Sequence, residues 1–61
     1  MNNAQLIAMA RRQLDNGNLL AYKRMMESNI RSAMSTRSAN AFRKAWQEDM
    51  PKIKKLESLF N

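Results

Sequence analysis

Four cations and no carboxylate lie between Ile30 and Gln47: Arg31, Arg37, Arg43 and Lys44, with Asn40 among them. These side chains share one chemistry, which is to hold phosphate and read the edges of bases. Arginine reads guanine bidentately, asparagine reads adenine, and lysine neutralises phosphate as a point charge. A helix face that only meets water usually mixes the two signs, and this stretch does not. Arg24 stands on the same predicted helix as Arg31, which completes a candidate nucleic-acid-binding set: Arg24, Arg31, Arg37, Asn40, Arg43 and Lys44. Ser35 to Lys44 carries the short polar side chains and arginines of a recognition helix, and the turn before it is short enough for a helix-turn-helix.

Missing residue types narrow the rest. The chain holds no histidine and no cysteine, so the usual metal ligands, general bases and thiol nucleophiles are absent. Its five acids are Asp15, Glu27, Glu48, Asp49 and Glu57. The one adjacent pair, Glu48 and Asp49, diverges by about 100° on a helix and does not converge on one substrate. Gly17 is the only glycine, which excludes a glycine-rich phosphate loop. The chain is therefore expected to be no enzyme, with no cofactor, no metal and no small-molecule ligand.

A second candidate surface is apolar. Met9, Leu20, Met25 and Met34 lie at or beyond the edges of their helices' apolar stripes. Methionine adapts its shape to a partner, and a chain of 61 residues has only a modest core in which to hide it. These four residues are the expected interface of a homodimer or of a complex with an acidic protein. Tyr22, Phe42, Trp46 and Phe60 each fall on an apolar stripe, so core packing is favoured over stacking on bases. Trp46 is expected to be mostly buried against Tyr22, Met26 or Ile30. Lys52, Lys54 and Lys55 neighbour Ile53, Leu56 and Phe60, but Glu48, Asp49 and Glu57 cancel their charge locally. A membrane-surface role is not expected from that balance.

The elements that must position these residues are all helical. Leu19, Tyr22, Met26, Ile30 and Ala33 recur at spacings of three and four, the longest regular stripe in the chain. This predicts a central helix over 19–34, capped by Asn18. Before it, Leu6, Ile7, Ala10 and Leu14 predict a helix over about 4–15, with Arg11 and Arg12 pointing away. Asn16-Gly17-Asn18 closes it, because glycine accepts the left-handed conformation at a helix end. So short a connection makes the first two helices neighbours. Ser35-Thr36-Arg37-Ser38 offers caps for a third helix over about 37–49, striped by Ala39, Phe42, Trp46 and Met50. Pro51 disfavours helical geometry at Met50, so a boundary or kink is expected there, with a last helix over 51–60. The pairs Glu27–Arg31 and Lys44–Glu48 have favourable spacing on outer faces. The predicted class is an all-α bundle of three to four helices in one domain over 1–61.

The formal charge is +6. Residues 1–46 hold eight bases against Asp15 and Glu27, while residues 47–61 hold three of each sign. That excess favours nucleic acid, anionic lipid or an acidic protein as a partner. No apolar run approaches the ~20 residues of a membrane span. Ala8-Met9-Ala10 has the small-x-small look of a signal cleavage site, but no base precedes it. A mature N-terminus and a cytoplasmic location are expected. The reading that follows is a small basic regulatory protein acting on nucleic acid. Its alternatives are an inhibitor or adaptor module of phage or bacterial accessory type, and a self-assembling bundle.

Overall fold

A computed structural model of the chain describes residues 2–60, the side chain of Phe60 excepted. The described residues form α1 (Asn3–Asp15), α2 (Leu19–Arg31) and α3 (Thr36–Phe60), with no strand among them. An asparagine starts each of the first two helices. The Asn2 side chain accepts from the Gln5 N–H at 2.8 Å, and the Gln5 side chain accepts from the Asn2 N–H at 3.0 Å, a reciprocal capping box. The Asn18 side chain accepts from the Ala21 N–H at 3.2 Å. Between them Gly17 takes φ +79°. The Asn18 N–H reaches the Gln13 carbonyl at 2.9 Å and the Gly17 N–H reaches the Leu14 carbonyl at 3.0 Å, which satisfies the last carbonyls of α1.

The direction of each helix follows from its partners on α3. Asn3 meets Ser38 and Asp15 meets Lys52, so α1 runs parallel to α3. Tyr22 meets Asp49 near the start of α2, while Ile30 at its end lines a groove with Arg43 and Trp46, so α2 runs antiparallel. The three helices enclose one core of Ala10 and Leu14, Tyr22 and Met26, and Phe42, Ala45 and Ile53.

The expected all-α bundle is present, with its elements redistributed. The longest helix is α3, not α2. Its 25 residues at about 1.5 Å each give roughly 37 Å, which matches the 36 Å long dimension of the molecule. α2 stops at Arg31 rather than Met34. Ser32 ends it: its hydroxyl and its N–H both donate to the Ser28 carbonyl, at 2.8 and 2.9 Å. Ser35 then starts α3 by accepting from the Ser38 N–H at 3.1 Å.

No boundary forms at Pro51, and 36–60 is one helix with the proline inside it. The apolar stripe keeps its phase across the proline: Phe42, Ala45 and Ile53 are buried, and Met50 and Leu56 pack on the same cluster. A break would lose the burial of Ile53. The missing N–H frees the Gln47 carbonyl, four residues earlier, and both Gln47 and Pro51 are exposed. Pro51→Ala is expected to restore that bond and raise stability by about 1–2 kcal/mol, partly offset by a more flexible unfolded chain. Urea denaturation checks this, and a fall in the midpoint would show that the proline shapes the helix favourably.

Trp46 packs on the core from its edge, partly buried and against Tyr22 as its stripe implied. Its ring meets Tyr22 at a centroid distance of 5.7 Å and a tilt of 51°. Phe42 and Tyr22 occupy the centre of the core, at 2% and 0% exposure.

Candidate nucleic-acid interface

Arg37, Asn40, Arg43 and Lys44 are all exposed on the first half of α3. Ala39, Phe42 and Ala45 claim the inward arc of that helix, which leaves these four to solvent. Arg43 Nη1 donates to Asn40 Oδ1 at 3.1 Å, so the arginine head is tied to the asparagine one turn before it. Beside this face, Glu27, Ile30, Arg43, Trp46 and Gln47 line an open groove of about 370 Å³ between α2 and α3.

Arg24 and Arg31 are exposed as well, but on a different face. At 100° per residue both lie opposite the buried Tyr22 and Met26, on the outward side of α2. Arg31, at the end of α2, stands next to the turn that leads to Arg37; Arg24 is two turns further away. The six expected residues therefore form a quartet on α3, one neighbour at the turn, and one outlier.

Carboxylates are drawn away from the quartet. Asp15 pairs with Lys52 at 2.6 Å, Glu57 pairs with Lys23 at 3.4 Å, and Glu48 and Asp49 both meet Arg11, at 3.3 and 3.1 Å. Of the five acids, all among the described residues, only Glu27 has no salt-bridge partner, and it lies in the groove beside Arg43. The expected pairs Glu27–Arg31 and Lys44–Glu48 do not form among the described residues. Glu48 turns to α1 instead, where it adds to a charge already held by Asp49. Arg24, Arg31, Arg37, Arg43 and Lys44 have no carboxylate within bonding distance among the described residues.

The Arg11 clasp is the arrangement that sequence reasoning missed. Arg11 does not point away: its Nε donates to both Asp49 oxygens at 3.1–3.2 Å, and its Nη2 donates to Glu48 Oε1 at 3.3 Å. The divergent acids of α3 thus share one guanidinium on α1. The Tyr22 hydroxyl donates to Asp49 Oδ2 at 2.6 Å. Burial pushes the Tyr22 hydroxyl well above the ordinary phenol range, and its bond to Asp49 adds to the shift. The bond to Asp49 raises Arg11 as well, against a smaller opposing effect of burial. Asp49 sits seven residues after Phe42 and four before Ile53, a carboxylate in phase with the apolar stripe. That position was the available signal, because an acid on an inward arc needs a cation.

A turn of four residues, 32–35, joins α2 to α3, and the two helices meet through Ile30 beside Trp46, Tyr22 against Asp49, and Lys23 against Glu57.

Of the expected apolar interface, Met9 is 38%, Leu20 59% and Met34 99% exposed. Met25 is half-buried and packs on the core instead of standing wet at the edge. Leu20 lies at the start of α2 and Met34 in the turn beyond its far end, too far apart to share one small patch.

Among the described residues no group of three or more acids, histidines or cysteines is placed to hold a metal ion, and no helix is long and apolar enough to cross a membrane. No known protein family, curated protein or solved structure matches this chain.

Proposed function

We propose that this protein is a non-enzymatic, cytoplasmic regulatory protein that binds nucleic acid through Arg37, Asn40, Arg43 and Lys44, with Arg31 at the edge. One observation carries the reading. Four of the five acids are spent on salt bridges between helices, and Arg37, Arg43 and Lys44 have no carboxylate within bonding distance among the described residues. Cations left without a bonded carboxylate keep their full charge for a partner and attract a polyanion.

Fluorescence anisotropy with a labelled duplex, across a series of salt concentrations, tests it. Affinity should fall steeply, with a log–log slope of about 0.9 for each phosphate contact. Arg43→Ala should weaken binding and lower that slope by about one, while Arg12→Ala on α1 should change it less. No binding to duplex DNA, single-stranded DNA or RNA at low salt overturns the reading.

A second reading is an adaptor or inhibitor docking on an acidic protein. The half-buried Trp46 beside Arg43 in an open groove favours it, since an aromatic and an arginine often anchor protein interfaces. Polyglutamate serves as the comparison: binding as tight as to DNA at equal charge would favour the protein partner.

A further inference from the structure

The turn between α2 and α3 is fixed on both sides of one exposed residue. Before it, Ser32 is bonded twice to the Ser28 carbonyl, and the Ala33 N–H reaches the Ile30 carbonyl at 3.4 Å. Ala33 itself packs on the core. After it, Ser35 caps α3 through the Ser38 N–H. Met34 stands between these anchors at 99% exposure, the highest of the large apolar residues described. Arg31 lies three residues before it and Arg37 three after, both exposed and both without a carboxylate partner among the described residues. From Ser28 to Gln47 there is no acid at all.

Single apolar residues on a surface are ordinary. This one differs in its setting, as an unbranched apolar side chain on an anchored tip, centred between two cations. We propose that the tip is a wedge for duplex DNA: Met34 enters a base step from the minor groove while Arg31 and Arg37 take the phosphates on either side. The minor groove is about 6 Å wide, enough for one slim side chain. Apolar wedges of this kind unstack a step and kink the duplex. Arginines beside the wedge suit the strong negative potential of that groove. Ser32, Ser35 and Thr36, all small and exposed, leave the approach to the backbone open. The wedge rests on the nucleic-acid reading and adds to it the duplex form, the groove and the bend. A protein partner would need a pocket for Met34 flanked by two carboxylates, a more particular surface than DNA offers everywhere.

The experiment uses a short duplex with a donor at one end and an acceptor at the other, titrated with wild-type protein and with Met34→Ser. At saturation the wild type should bring the ends closer and raise energy transfer. Met34→Ser should bind about tenfold more weakly, keep the same salt slope because no charge is lost, and leave energy transfer at the value of the free duplex. The variant alters a side chain with no packing role, and an unchanged circular dichroism spectrum confirms its fold. Binding without a change in energy transfer, or bending by Met34→Ser equal to wild type, overturns the wedge and leaves the nucleic-acid reading standing. Absence of duplex binding overturns the wedge, and absence of binding to single-stranded DNA and RNA as well overturns the nucleic-acid reading. Met34-dependent binding to polyglutamate, without bending of the duplex, overturns the wedge in favour of a protein partner.

Discussion

Phe42→Ala is expected to lower stability by about 3–5 kcal/mol, the cost of emptying a well-packed aromatic site. Phe42 is 2% exposed and belongs to the cluster that all three helices share. A chain of 61 residues has about 3–9 kcal/mol in total at the usual 0.05–0.15 kcal/mol per residue. The variant therefore loses a large share of that margin, and its urea midpoint should fall steeply. Trp46→Ala, by contrast, should cost only about 1–2 kcal/mol, because the indole lies at the edge of the core rather than in its centre and its main specific contact is the tilted pair with Tyr22. Circular dichroism under urea reads both variants on one scale. A larger loss at position 46 than at position 42 would show that the centre of the core lies at Trp46. The order matters for function, since a tryptophan that lines an open groove beside Arg43 is available to a partner and one at the centre of the core is not.

Local rules made much of this fold legible. The Asn18 cap, the Gly17 turn and the three apolar stripes depend on residues within a few positions of each other, and each falls where its spacing predicts. Two features resisted, for one physical reason. At Pro51 a local steric preference opposed a tertiary gain, and burial of Ile53 on the far side outweighed the lost backbone bond. At Asp49 the surprise was again tertiary, since no local rule says that Arg11 arrives from a helix 38 residues away in sequence. The candidate surface divides the same way. The quartet from Arg37 to Lys44 was readable because one helix sets its phase. That Arg24 faces elsewhere depends on which side of α2 meets α3, and helical periodicity alone does not fix that. Salt bridges between helices then removed the acids whose distribution the sequence could only count.

The second large effect is expected at Asp49. Its carboxylate is 14% exposed and holds two partners of different character, the half-exposed Arg11 and the buried Tyr22. Asp49→Ala strands both. Arg11 regains water easily, so its share is small, but the Tyr22 hydroxyl is left in the core without an acceptor. The expected loss is about 2–3 kcal/mol, against less than about 0.5 kcal/mol for Glu48→Ala, whose side chain is 57% exposed. Tyr22→Phe removes the donor along with its need, so Asp49→Ala made in the Tyr22→Phe background should cost distinctly less than in the wild type. Equal costs in the two backgrounds would show that the hydroxyl bond contributes nothing. The same bond predicts an alkaline limit. The Tyr22 proton is held more tightly in the folded protein than in the unfolded chain, whose phenol titrates near 10. Stability from this group is therefore complete below about pH 10 and falls as pH rises beyond it, because only the unfolded chain releases the proton readily. Tyr22 is the only tyrosine, so tyrosinate absorbance follows it directly and should rise together with the loss of helix, not before it. Titration of the phenol in a chain that remains helical would overturn this placement, and Tyr22→Phe should flatten the alkaline fall in the urea midpoint.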